Sequence, residues 1–598
     1  MSAVLLNLAI FAPLIAAVVV WTLPQRREHL AYRIALGVGL LCGAAAIALW
    51  LAMPAAGAAT RMVVRATGDV HLPHLVGESA WTWVEAGDEP AGDDGAALIN
   101  SVVIRYHVGL DAISAPLFAL TGLLVPLSIA CSLTSIRTRV REYYAWMLAL
   151  TTAMFGVFAA RDVLLFYVFF ELTLVPLYFL IGIWGGPQRR YAASKFFIYT
   201  FVGSVLTFAG ILYLAIRGAQ GGVVDFDLVR LSSLTLSASE QFWLFIAFFA
   251  GFAIKVPFFP LHTWLPLAHT EAPTAGSVLL AGILLKLGTY GFLRFSLPMV
   301  PAGAEYWATT MGALAVAGII YGALVSWVQT DVKKLVAYSS VSHLGFCMLG
   351  MFSFDPIGLS GSVLYMINHG LSTGALFLVV GMIYERYHTR QIDQLGGLAR
   401  QMPVMAFFLV IFVLSSIGLP GLNGFVSEFT VLFAAFNSST LGPWYGALGA
   451  TGILLGAVYM LYVTGQVLFG PVKQPPHTPD VSTGLAPDLT RREVAILAPL
   501  AIMCAVLGVA PRLVTESLDP ALQTQVLARL AQARAVAAVE PPPAGLAEAP
   551  PGPRLAAADD RWETPATIGR ESAPAALDAP KPPEAQLAPG QGQSGGRR

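Results

Sequence analysis

Apolar stretches long enough to cross a bilayer recur along most of this chain, and nothing else in it restricts the fold so tightly. A spanning helix needs about 20 apolar residues. Only structures that satisfy every backbone polar group internally are stable in lipid. Fourteen stretches qualify, over residues 3–23, 32–55, 110–133, 143–160, 162–184, 191–216, 241–267, 273–298, 305–328, 332–352, 357–384, 402–436, 444–470 and 494–513. Charged residues make up 12% of the 598, about half the roughly 25% of a soluble domain. The expected fold is therefore an all-α polytopic membrane protein of about 14 transmembrane helices. The first apolar run has no basic residues before it and several after, as in Gln25–Arg26–Arg27. It reads as a retained span rather than a cleaved signal peptide.

Arginine and lysine in the short loops set the orientation. Fifteen lie after odd-numbered spans, among them Arg26, Arg137, Arg189, Lys333, Lys334 and Arg390, against six after even-numbered ones, such as Arg105, Arg161 and Arg230. Odd loops are expected to face the cytoplasm, with both termini outside. The formal net charge is zero, from 35 basic and 35 acidic residues, so no basic excess points to nucleic acid. The four cysteines, Cys42, Cys131, Cys347 and Cys504, stand singly in apolar runs. They suggest no cluster ligation or disulfide framework.

Six ionisable residues interrupt the apolar runs: Glu171, Lys255, Lys286, His343, His369 and Glu428. A charge at the bilayer centre costs about 2.5–3.5 kcal/mol even on the mildest scale, so intramembrane ionisable groups are paired, hydrated or functional. A static ion pair such as Glu171–Lys255 is the plain structural reading. It does not serve Lys286, which has no acid nearby in sequence. Alternatively the set shuttles protons. Burial lowers a lysine pKa and an adjacent carboxylate raises it, so a lysine whose acidic partner moves away gives up its proton. The histidines are read either as helix–helix hydrogen-bonders or as relays between the lysines.

Two spans are too long and irregular for plain helices. Pro257 and Pro260 follow Lys255, and Gly418, Pro420, Gly421 and Gly424 precede Glu428. Broken helices at corresponding places mark transport sites built from inverted repeats. Spans 4–8 and 9–13 then form two inverted five-helix repeats, each with a discontinuous fourth helix, in which Lys255 and Glu428 are equivalent. The organisation expected is 1–107 for two helices and an external polar loop with strand-like pieces, 108–140 for the third helix, 141–300 and 301–472 for the repeats, 473–515 for the last helix and 516–598 for a disordered Pro/Ala-rich tail, with no long amphipathic helix from about 535 onward. His262, His269 and Glu271 lie in LHTWLPLAHTEAPT. Their spacing is not that of HExxH, and they read as a proton entrance or an interfacial cluster before a metal site.

The segments FYVFFELTLVPLYFLIGIWG, AIKVPFFPLHTWLPLAHTEAPTAGSVLLAGILLKLGTYGFLRF, DVKKLVAYSSVSHLGF and NHGLSTGALFLVVG resemble the NuoM/chain 4 family of proton-translocating NADH:quinone oxidoreductase (respiratory complex I). The resemblance covers about residues 100–470. A glutamate at 428 is similar to NuoM, where the related NuoL and NuoN usually carry lysine. The resemblance implies proton transfer by Glu171, Lys255, Lys286 and Glu428, with His343 and His369 at family positions. It implies NuoL-like and NuoN-like membrane neighbours in a bacterial inner membrane. It also implies that NAD, FMN, iron–sulfur clusters and quinone belong to partner subunits, with no redox centre, cofactor or metal in this chain. The same superfamily contains Mrp-type cation/proton antiporter subunits and membrane-bound hydrogenase subunits, which are the alternatives. A purely structural membrane scaffold is the non-transport alternative.

Overall fold

A computed structural model describes residues 1–53, 75–87, 101–219, 222–473 and 488–539. Among the described residues eleven helices are long and apolar enough to cross a membrane: α1 (Ser2–Thr22), α2 (His29–Leu51), α3 (Ala115–Ser135), α5 (Val163–Trp184), α6 (Arg189–Arg217), α8 (Thr274–Met299), α9 (Pro301–Trp327), α10 (Val332–Phe352), α11 (Pro356–Tyr387), α13 (Pro443–Leu468) and α14 (Arg491–Val509). Between them lie α4 (Val140–Ala159) and two interrupted helices, α7a (Ala238–Lys255) with α7b (Trp264–Glu271), and α12a (Pro403–Ser416) with α12b (Asn423–Asn437).

Helix starts follow local chemistry. Asp162, Asp331 and Asp355 accept backbone N–H bonds at the first turns of α5, α10 and α11. Ser237/Glu240 and Thr490/Glu493 form capping boxes at α7a and α14, each satisfying amides that have no partner within the helix. Both interruptions lie where proline and glycine place them. A proline removes an amide donor and crowds the preceding turn, and the chain unwinds over 256–263. In the second, Gly418 and Gly421 take φ of +73° and +95°, which a side chain rarely tolerates, and the unwound stretch is 417–422.

Layering follows apolarity. α8 and α11 are buried along their whole apolar windows and α10 along 94% of its window, whereas α1, α2, α6, α13 and α14 bury only 39% of theirs. The five outer helices therefore present apolar surface outward, and the charged middle of the sequence lies in the three at the centre. The loops meet in two sets. Gly186 N–H donates to Glu271 O (2.9 Å), Val332 N–H to Arg390 O (3.0 Å) and Gly397 N–H to Phe469 O (3.0 Å), which gathers the loops after α5, α7, α9, α11 and α13 on one arginine-rich face. On the other face Arg161 N–H donates to His107 O (2.8 Å) and Ser438 Oγ to Ser353 O (2.7 Å).

Two expectations need correction. The chain is not all-α: β1 (Val76–Gly87) and β2 (Ser101–Leu110) pair antiparallel, and β3 (Val223–Asp225) adds to β2 in parallel. The strand-like pieces in the first polar loop became a sheet because a distant segment supplied the third strand. The expected disordered tail from residue 516 is instead helical through Val539, in a continuous helix over 512–539 (α15). That helix is amphipathic. It buries Val514, Leu518, Leu522, Val526 and Leu530, a one-sided stripe at helical spacing. It is anchored by Arg534 to Glu305 (2.7 Å) and by Gln525 to Arg294 (2.6 Å). The tail beyond 539 and much of the 56–107 loop lie outside the described residues.

Candidate functional site

The six ionisable residues come to the middle of the bundle in two groups. The first is built by α5 and α7a. Lys255 is the last residue of α7a, at the unwound stretch, and is buried. Its Nζ donates to Thr173 Oγ1 (3.2 Å) and lies 4.8 Å from the ring centre of Phe170, within cation–π range. Thr173 interrupts α5, and its hydroxyl donates to Phe170 O (2.7 Å). Glu171 is two residues away and half-buried, beside the exposed apolar Val168, Leu172 and Val175. No salt bridge joins Glu171 to Lys255, since their charged atoms are more than 4.0 Å apart. One carboxylate oxygen of Glu171 has no hydrogen-bond partner. The ion pair that the sequence suggested is thus open, and the lysine bonds a threonine instead.

The second group forms a continuous line through α8, α11, α10 and α12b. Lys286 is fully buried. It stands between two wide π-turns, Leu280–Leu284 and Phe292–Ser296, a form of helix often found at functional sites. Its Nζ donates to Ala281 O (2.5 Å) and lies 2.6 Å from His369 Nδ1. The His369 ring is edge-on to that of His343, with centres 5.5 Å apart. His343 lies 6.0 Å, ring to ring, from Tyr365, and its Nε2 is 3.4 Å from Tyr459 Oη. Tyr365 Oη donates to Glu428 Oε1 (2.9 Å). The other oxygen, Glu428 Oε2, has no partner and faces Gly418, where a Cβ would sit 2.2 Å from it. The second interruption is held by α11: Asn368 Nδ2 donates to Asn423 O (2.7 Å) and to Ser427 Oγ (3.1 Å).

The histidines join Lys286 to Glu428 rather than one lysine to another. α7a and α8 touch where Gly288 meets Val256, at a closeness that leaves no room for a Cβ, yet no direct bond joins Lys255 to Lys286. Sequence reading missed Tyr365, Tyr459, Thr173 and Lys333. Tyr365 was within reach, being one helical turn before His369 on the same face. Lys333, counted as a loop charge, is a buried first-turn residue of α10 whose Nζ donates to Ala272 O (2.6 Å).

The LHTWLPLAHTE residues separate. His262 lies against Phe259 and Tyr321. His269 is buried and stacked on Phe377 at 4.6 Å, with neither ring nitrogen bonded. Glu271 Oε2 accepts from Gln188 N–H (2.8 Å). Among the described residues no three His, Cys, Asp or Glu side chains gather as a metal site would require. Glu271 and Lys333 line a cavity of about 520 Å³ on the arginine-rich face, with Glu385 and Arg390.

A bundle with interrupted helices and a buried line of lysine, histidine, tyrosine and glutamate defines an antiporter-like membrane subunit. Residues 160–456 match the family described as NADH:quinone oxidoreductase/Mrp antiporter, TM. The chain is 46% identical over 426 residues to NADH-quinone oxidoreductase subunit M of Rhodobacter capsulatus, covering 70% of this chain and 81% of that one. It is 42% identical over 416 residues to NADH-ubiquinone oxidoreductase chain 4 of Marchantia polymorpha, covering 69% and 81%. Its structure resembles a chain of respiratory complex I from Thermus thermophilus, with a TM-score of 0.72, 29% identity, and coverage of 88% and 99%. A chain of the Mrp complex from Dietzia, 20% identical with a TM-score of 0.71 and coverage of 88% and 99%, shares the fold. The chain belongs to the family of NADH-quinone oxidoreductase subunit M, antiporter-like membrane subunits of complex I.

Proposed function

We propose that this chain carries protons across a bacterial inner membrane along Glu171, Lys255, Lys286, His369, His343 and Glu428, within a proton-translocating NADH:quinone oxidoreductase. The observation that carries the reading is the line from Lys286 through His369, His343 and Tyr365 to Glu428, with its successive contacts. Each member can both accept and release a proton, or donate a hydrogen bond to one that does. Strongly interacting groups of this kind titrate as a set, so a charge change at Glu171 is felt along the row. Transfer from Lys255 to Lys286 needs water as a carrier, because no bond joins them. His269, with two unpartnered nitrogens, and the cavity beside Lys333 are the way in from the arginine-rich face.

In this reading the chain crosses the membrane fourteen times, counting α4 and the two interrupted helices. α4–α8 and α9–α13 form two inverted five-helix sets, each interrupted in its fourth member. The arginine-rich face is cytoplasmic and both termini are periplasmic. A half-buried glutamate among exposed apolar residues is expensive against lipid, so a neighbouring membrane subunit, NuoL-like or NuoN-like, covers Glu171. NAD, FMN, iron–sulfur clusters and quinone belong to partner subunits. The test is Glu171→Ala and Lys255→Ala in the intact complex. NADH-driven proton uptake by inverted vesicles should collapse while the complex assembles, and normal uptake from a well-assembled variant would overturn the mechanism.

A further inference from the structure

On the face opposite the arginine-rich loops, three guanidinium groups converge where α15 crosses the end of α8. Asp111 Oδ2 accepts from Arg161 Nη1 (3.2 Å) and from Arg294 Nη2, and all three residues are buried. Arg294 Nη1 donates to Gln525 Oε1 (2.6 Å), which leaves the amide NH₂ of Gln525 free to donate. Arg294 Nε is buried without a partner. Among the described residues Arg529, one turn beyond Gln525, forms no ion pair or hydrogen bond. It is half-buried, and that desolvation pulls its guanidinium below its ordinary range. These groups line a cavity of about 250 Å³.

Asp111 is the one carboxylate bonded to this group, and it serves only Arg161 and Arg294; an unpaired charge held partly out of water, as at the half-buried Arg529, is costly. Of the nearby acids, Asp162 caps α5 through Leu165 N–H and its burial favours the neutral carboxyl. Asp225 pairs with Arg105 and Arg230, and Asp227 lies 3.6 Å from His107. Guanidinium forks match tetrahedral oxyanions bidentately and hold them from several directions. The remaining wall, with Leu293, Pro298 and Val526, is apolar, and α15 lies at the level where helix ends leave the bilayer.

We propose that the cavity between α8 and α15 is a phosphate-binding site, with Arg294 and Arg529 as its principal donors and Gln525 as a third, filled by the headgroup phosphate of an anionic phospholipid. The bound phosphate fastens α15 across the bundle. The site is separate from the buried row and does not rest on the relay.

The experiment compares the intact complex from wild type and from Arg529→Gln and Arg529→Lys variants. Arg529 makes no bond to the described residues, so its loss orphans no partner among them. Each complex is stripped of loosely held lipid, its retained anionic phospholipids are counted by mass spectrometry, and thermal midpoints are read with phosphatidylcholine vesicles alone, with added phosphatidylglycerol, or with added inorganic phosphate. The expected result is one fewer retained anionic lipid in Arg529→Gln and a phosphatidylglycerol-dependent midpoint rise that this variant loses and Arg529→Lys partly keeps. A rise given equally by inorganic phosphate, and lost in Arg529→Gln, keeps the phosphate site and assigns it to the free ion. Identical lipid counts and midpoints in all three proteins overturn it. So does loss of a neighbouring subunit from Arg529→Gln with lipid unchanged, which would make the occupant a protein carboxylate.

Discussion

The Nζ of Lys286 lies 2.6 Å from Nδ1 of His369, with both side chains buried. That separation is a hydrogen bond in which one nitrogen donates and the other accepts, and a buried ammonium beside a buried imidazolium would face strong repulsion. Lys286→Arg separates charge from proton release, since arginine keeps its charge and does not deprotonate in proteins. Both Lys286→Arg and Lys286→Ala should lower NADH-driven proton uptake by roughly tenfold, less than the hundredfold or more of an irreplaceable proton-transfer group because water can partly substitute. Full uptake from Lys286→Arg would show that the charge alone matters.

Tyr365 is the only hydrogen-bond partner of Glu428 among the described residues. Tyr365→Phe leaves the carboxyl buried with neither oxygen bonded, a penalty of about 1–3 kcal/mol. The thermal midpoint of the complex should fall by a few degrees and proton uptake should slow. Glu428→Gln, which keeps a group able to accept from Tyr365, should stop uptake with little loss of stability. Equal effects of both variants on stability and uptake would contradict this division.

Gly418 closes on Glu428 with φ +73°, and an added Cβ would overlap Glu428 Oε2. Gly418→Ala should destabilise by more than about 1 kcal/mol, since Ala is incompatible with that backbone, and should lower uptake by displacing Glu428. Gly421 has φ +95° but open space around it. Gly421→Ala should therefore carry the backbone penalty with near-normal uptake, as judged by melting and dye quenching on the same preparations.

Arg386 and Glu493 form a buried bidentate pair between α11 and α14, with both contacts at 2.8 Å. Removing one partner of a buried pair costs about 3–5 kcal/mol. Glu493→Gln should reduce the amount of subunit in membranes, measured by immunoblot. A normal level would mean that the pair is dispensable.

Asp162, in the loop before α5, accepts from Leu165 N–H (2.9 Å). Burial, reinforced by Asp225 and Asp227, pushes its carboxyl up to about 7, against the opposing pull of the Leu165 and Leu164 amides. The folded state therefore favours the protonated form. The associated stability is present at low pH and is lost as pH rises from the ordinary carboxyl range, about 4, through about 7. Asp162→Asn keeps the cap and removes the titration, so its melting temperature relative to wild type should rise between pH 5 and pH 8. A constant difference across that range would be evidence against the shift.

Much of the bundle was legible because its signals are local. Apolar run length marks helices α1–α3, and Pro257, Pro260, Gly418 and Gly421 break the chain where they stand. Lys255 and Glu428 beside those breaks could be picked out on cost alone. α15 escaped detection because its buried residues, Val514 to Leu530, are spaced out among Arg, Gln, Thr and Asp, and the surface they cover exists only once α8, α9 and α11 are assembled.

The sequence by itself determined which stretches are long and apolar enough to cross a membrane, where the helices fail, and that Glu171, Lys255, Lys286, His343, His369 and Glu428 demand an explanation, because run length, backbone chemistry and the cost of burying charge are properties of each segment alone. Only the tertiary structure decided who meets whom. Lys286 finds His369 rather than an acid, Lys255 finds Thr173 rather than Glu171, and Glu428 is held by Tyr365. These partners are 83, 82 and 63 residues apart. The rotation of one helix against another is set by the close packing of the whole bundle, which no single segment encodes.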